Sequence, residues 1–108
     1  IYFIPSILKS TSKTFSKNSN SSSIGICCII NTGATIDHDC WLGDGVHISP
    51  GANLAGEVTV GKASWLGIGS CVKEQISIGK NVIVGAGAAV VNDTPDNCTL
   101  VGIPAKPI

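Results

Sequence analysis

From Ile24 onward a branched aliphatic residue recurs every six positions: Ile24, Ile30, Ile36, Leu42, Ile48, Leu54, Val60, Leu66, Val72, Ile78, Val84 and Val90. Four places after each stands a small or branched residue, from Cys28 and Ala34 through Val58 and Ser64 to Ala88 and Thr94. Directly after the aliphatic stands Gly at Gly25, Gly43, Gly61, Gly67, Gly79 and Gly85. A period of six fits neither the 3.6 of a helix nor the two of a long strand, but it fits a short strand followed by a bend. Three such units bring the chain back over its start after 18 residues, so that coils stack at about 4.8 Å. The pattern predicts an all-β fold, a parallel β-helix of triangular section. Aliphatic ladders fill it, small residues sit near the corners, and Gly allows the backbone angles of the bends. Residues 24–95 supply four coils.

The first 23 residues leave the frame, which falls there on Ser6, Ser12 and Asn18, and eight of the 23 are Ser. A flexible arm is expected from Lys9 to Ser23. The apolar start, Ile1 to Leu8 with Tyr2 and Phe3, either shares that freedom or covers the open edge of the first coil, whose backbone groups would otherwise lack partners. Residues 96–108 also leave the repeat, and Pro104 and Pro107 suit a tail folding back over the last coil.

Composition narrows the function. Only 5% of residues are aromatic and 13% charged, so the core is built from small aliphatics, unlike that of a helical bundle. Seven Lys balance seven acids, with no Arg, and three of the Lys lie in the arm. No basic surface for nucleic acid is foreseen. The apolar run from Val82 to Val91 is too short to cross a bilayer, and no signal peptide stands out. A soluble, cytoplasmic protein without membrane contact is expected. Five Cys, with no CxxC pair and no His at zinc-ligand spacing, read as reduced thiols, and no metal is expected. The sequence lacks Met altogether and reads as a piece of something longer.

The candidate chemistry centres on the two His, His38 and His47, neither on an inward position. Asp37 and Asp39 flank His38, and a carboxylate on one ring nitrogen would fix the tautomer and leave the other nitrogen as a base near neutral pH. Otherwise both Asp form turns at a corner. A straight strand would point Asp39 away, so the contact needs a bend. Residues 18 apart stack in columns, which places His47 below Trp65, His38 below Gly56, Ile68 below Ala86 and Lys62 below Lys80. Such a wall suits a long thin ligand lying along the axis. The two Lys either meet a phosphate or are solvated surface residues.

The segments NTGATIDHDC (31–40), HISPGA (47–52), IGKNVIVGAGA (78–88) and VGIPAK (101–106) resemble those of the hexapeptide-repeat sugar acetyltransferases, the sialic acid O-acetyltransferase and nucleotide-amino-sugar N-acetyltransferase family. The match runs from about Ile24 to Ile108. The resemblance implies a left-handed helix, against the general right-handed rule for crossovers. It further implies acetyl transfer from acetyl-CoA to an amine or hydroxyl of a sugar or nucleotide sugar. On that resemblance His38 is the general base, Asp39 raises its basicity, and Asn31 lies in the substrate site. His47 contacts the thioester end of acetyl-CoA, and Gly56, Ile68 and Ala86 line the cofactor's arm. Cys40, on an inward position, is not expected to act as a nucleophile. Family members are homotrimers with sites between subunits, which would account for outward-facing Trp41 and Trp65. They also usually carry an N-terminal Rossmann-like sugar-binding domain, whose place here is taken by the Ser-rich arm.

Three further readings compete. An inactive trimeric scaffold or remnant would keep the prism without the sugar-binding domain. A β-helix carbonic anhydrase would need three His around zinc, and the chain has two. An ice-binding prism would need regular Thr arrays, which are missing.

Overall fold

The computed structural model describes the backbone of residues 2–3, 8–9, 15–17 and 20–108 and the side chains from Ser22 onward. Two-residue strands alternate with four-residue corners along a prism 36 Å long and about 22 Å across. Each strand lies parallel to the one 18 residues away. On the first face Thr35–Ile36, Asn53–Leu54, Cys71–Val72 and Ala89–Val90 stack in that register. The second face carries Asn20–Ile24, Trp41–Leu42, Thr59–Val60 and Ser77–Ile78. The third carries Ile29–Ile30, His47–Ile48, Trp65–Leu66 and Ile83–Val84. The described residues contain no helix, and the architecture is the left-handed parallel β-helix expected.

The inward ladder is as the period foresees. All twelve aliphatics are at most 3% exposed, and Cys28, Ala34, Cys40, Val46, Ala52 and Val58 are buried beside them at the corners. Where the corner residue is Ser, its hydroxyl is spent locally: Ser64 Oγ donates to Gly79 O at 2.7 Å and accepts from Val82 N at 3.0 Å. A buried hydroxyl is tolerated because both its bonds are made.

The role of the glycines differs from the expectation. At the corners the positive-φ residue is the third one, and it is often not Gly: Asp39 (φ 56), Glu57 (φ 61) and Ala63 (φ 61) all occupy it. Gly at the first corner place answers to space instead. A Cβ on Gly61 would lie 2.5 Å from the Gly79 carbonyl carbon, and one on Gly43 would lie 2.8 Å from Lys62 N. Successive coils approach too closely there for any side chain.

The register changes once. Val90 still pairs with Val72, but Thr94 bridges to Ile78 and Leu100 pairs with Val84, each only 16 residues back. The corner after Val90 is two residues short, so Thr94 takes a ladder place beneath which Ile78 lies, instead of the corner place that counting by six assigns it. The prism continues to Thr99–Val101, and Lys106–Pro107 adds an antiparallel strand on that rung. At the opposite end Tyr2–Phe3 and Leu8–Lys9 lie antiparallel on Thr35–Ile36 and Ile29–Ile30. Phe15–Lys17 pairs with Asn20–Ser22. Residues 10–14 and 18–19 of the expected flexible arm lie outside the described residues.

Replacing Leu66, fully buried in the ladder, with Ala removes methylenes that the fixed coil spacing cannot close over. Urea unfolding should show a loss of about 2–5 kcal/mol, against about 0.5 kcal/mol or less for Ile26→Ala at an exposed corner.

Candidate functional site

His38 and Asp39 are the second and third residues of a corner between the first and second faces. Asp39 adopts φ 56, a conformation Asp tolerates better than most residues, and this bend brings its side chain back onto its neighbour. Asp39 Oδ2 lies 3.1 Å from His38 Nδ1. An ionised carboxylate only accepts, so Nδ1 carries the proton and the lone pair of the neutral ring sits on Nε2. Asp37 plays a turn-forming part: its Oδ1 accepts from the His38 main-chain N–H at 2.7 Å. Both readings of the flanking acids hold, each for a different residue.

Gly56, one coil above, is the floor under the imidazole. A Cβ there would fall 2.5 Å from His38 Nε2 and 2.7 Å from Cε1. Gly56 is thus packed against the candidate base. Its bare Cα makes room for the ring.

The other candidate residues collect elsewhere. His47 points outward from the third face and stacks on Trp65, with ring centroids 4.0 Å apart and planes 14° from parallel. Trp65 is locked in turn by its indole N–H, which donates to Ser49 Oγ at 3.0 Å. Partial burial in this stack pushes the His47 pKa below the ordinary histidine value. Asn31, Ile68 and Ala86 lie along the adjoining corner between the third and first faces. Asn31 Oδ1 accepts from Thr32 N at 2.7 Å. Ile68 is 62% exposed, and with Trp65 and Ile83 it forms an apolar strip running along the axis.

The main chain adds what side-chain reasoning missed. Ladder bonds use most corner amides, but among the described residues no protein group accepts from the N–H of Ile68 or Ala86. Two outward donors spaced one coil apart beside an apolar strip fit a slender ligand that alternates amides with methylenes. The regular chain itself makes this pattern, so no motif announces it.

The candidate residues therefore form two groups. His38, Asp39 and Gly56 are on one corner; Asn31, Ile68 and Ala86 are on the next, with His47 on the third face beside it, and the first face separates the two groups. Cys40 lies inside the prism, its thiol donating to Ala55 O at 3.2 Å and its pKa raised by burial, which leaves no thiolate for attack. Among the described residues no group of three or more His, Cys, Asp or Glu could hold a metal ion. No helix there is long and apolar enough to cross a membrane.

The repeat and its stacking define a hexapeptide-repeat β-helix. No family model matches the sequence. Solved structures do. A perosamine N-acetyltransferase variant from Caulobacter crescentus, in complex with CoA and GDP-perosamine, is 48% identical, with a TM-score of 0.80; the match covers 81% of this chain and 41% of that one. The acetyltransferase domain of PglB from Neisseria gonorrhoeae, in complex with acetyl coenzyme A, is 46% identical, with a TM-score of 0.76, over 81% of this chain and 44% of that one. A serine acetyltransferase from Neisseria gonorrhoeae is 30% identical, with a TM-score of 0.77, over 81% and 38%. Over its β-helix the chain is similar to hexapeptide-repeat sugar acetyltransferases. It spans about two-fifths of the length of the chains it matches.

Following the His47 ring protons by NMR across a pH titration should give a midpoint below the ordinary value of about 6.5. Trp65→Ala, which removes the ring that shields His47 from water, should move the midpoint back up.

Proposed function

We propose that the protein transfers an acetyl group from acetyl-CoA to an amine or hydroxyl of a sugar or nucleotide sugar, with His38 as general base. The observation that carries this reading is the His38–Asp39 pair, in which Nδ1 meets a carboxylate and Nε2 lies outside that contact, at an exposed corner. Nε2 takes the proton of the acceptor amine or hydroxyl as that atom attacks the thioester carbonyl. The tetrahedral oxyanion then collapses, expelling the CoA thiolate, which recovers the proton from the His38 imidazolium. Proton acceptance of this kind contributes about 10²–10⁴-fold, and holding both substrates in place contributes further. The apolar strip and the Ile68 and Ala86 amides suit the pantetheine arm, with His47 near its thioester end. The solved neighbours with CoA, acetyl coenzyme A and GDP-perosamine bound support the pairing of substrates.

The same reading makes the protein a homotrimer. The two residue groups are kept apart by the first face, so one prism cannot bring His38 and His47 to the same bond. A threefold packing that turns the first face inward sets the His38 corner of one subunit against the His47 corner of its neighbour. The outward residues of that face, Thr35, Asn53, Cys71 and Ala89, are small enough to pack closely. Thr35 and Asn53 already satisfy each other through a 2.6 Å hydrogen bond.

An inactive scaffold is the competing reading. One experiment separates them: acetyl-CoA binding by calorimetry, and turnover with acetyl-CoA and an amino-sugar nucleotide. Activity should fall at least 10²-fold in His38→Ala while acetyl-CoA affinity stays within about twofold. Acetyl-CoA binding with no turnover in the unaltered protein would favour the scaffold. Equal loss of binding and turnover in His38→Ala would remove the base assignment.

A further inference from the structure

The third corner, between the second and third faces, belongs to neither half of the proposed site. Its second residues form a column of Ile26, Asp44, Lys62 and Lys80, followed after the register change by Asp96. At the two ends of the column a carboxylate from the next coil accepts the main-chain N–H below it. Asp44 Oδ1 takes the Ile26 N–H at 3.0 Å, and Asp96 Oδ1 takes the Lys80 N–H at 2.8 Å. In the middle this arrangement breaks. The residue above Asp44 is Lys62 and the residue above Lys62 is Lys80, and an ammonium cannot accept. Among the described residues nothing accepts from the Asp44 or Lys62 N–H.

Free amides occur at other corners of the prism, at Ile68 and Ala86 for example. Three features set this corner apart. The column itself shows that its amides are placed to hold a carboxylate oxygen. Where the internal carboxylate is missing, two Lys take its place, which supplies positive charge beside two unfilled donors. A depression of about 510 Å3 opens at these residues, lined by Trp41, Gly43, Asp44, Gly61, Lys62 and Lys80 among others. Gly43 and Gly61 are part of this lining and are packed close against the next coil. The lining has one carboxylate, Asp44, and its Oδ1 is engaged with the coil below. The exposed Trp41 indole forms the side wall.

We propose that this corner binds a phosphate group, held by the main-chain N–H groups of Asp44 and Lys62 and by the ammonium groups of Lys62 and Lys80. A tetrahedral anion suits the place better than a flat carboxylate, because donors reach it from two coils and from two flexible cations at once. The phosphate is either free or carried on a small molecule that rests against Trp41. The proposal stands apart from the acetyl-transfer reading, since none of these residues serves that chemistry.

Titration of the ¹⁵N-labelled full chain with inorganic phosphate tests it. The Asp44 and Lys62 amide resonances should shift saturably, while those of Lys73 and Lys106 stay put and chloride at matched ionic strength does nothing. Lys62→Gln with Lys80→Gln should weaken the response about tenfold or more. Lys62→Asp should abolish it by supplying the missing internal carboxylate, and should shift the Asp44 amide without added phosphate. An arm with adenosine monophosphate distinguishes the sources: tighter binding that is lost in Trp41→Ala indicates a phosphate ester, and equal binding indicates free phosphate. Shifts spread evenly over all lysines, or reproduced by chloride, would overturn the proposal.

Discussion

Everything in this molecule depends on the inter-coil hydrogen bond. The N–H of one strand residue meets the carbonyl of a residue 17 further on, as from Ser23 to Cys40, Ile29 to Val46 and Trp41 to Val58. Repetition of that bond sets the 18-residue register, and the register decides which side chains share a column. It also dictates the glycine column of Gly25, Gly43, Gly61 and Gly79, because coils held at strand spacing leave no room for a Cβ there. The aliphatic ladder then seals the interior, where a mere 3% exposure marks the least buried of the twelve. Candidate residues are located by the same arithmetic: His47 meets Trp65, and His38 meets Gly56, because each pair differs by one coil.

For this reason the fold was unusually legible. A step of six in the apolar positions carries both the strand length and the bend, and no tertiary contact competes with it. Legibility failed where the physics is local. Glycine at the first corner place looks like a turn residue, yet it answers to a clash with the next coil, while Asp39 and Glu57 take the left-handed backbone. The short corner before Thr94 carries no mark in the apolar pattern, since Thr at that place still falls on the count of six.

The candidate site was legible in its residues but not in its arrangement. The Asp-His-Asp segment announces a base with a carboxylate partner, and only the bend at Asp39 decides which acid is the partner. That the candidates divide into two groups follows from which third of the 18-residue coil carries each, His38 on the corner after the first face and His47 on the third face. The main-chain donors at Ile68, Ala86, Asp44 and Lys62 have no signature at all in the sequence. They arise wherever the ladder leaves a corner amide over, and the neighbouring side chains then settle whether carboxylate, apolar strip or lysine meets it.

The central claim is that one prism holds two halves of different sites. Subunit complementation tests it most directly: His38→Ala and His47→Ala proteins, each inactive, are unfolded together and refolded as a mixture. If each site joins the His38 corner of one subunit to the His47 corner of its neighbour, about a quarter of the interfaces regain both residues, and activity returns to that level. A mixture that stays as inactive as its parents would contradict the account.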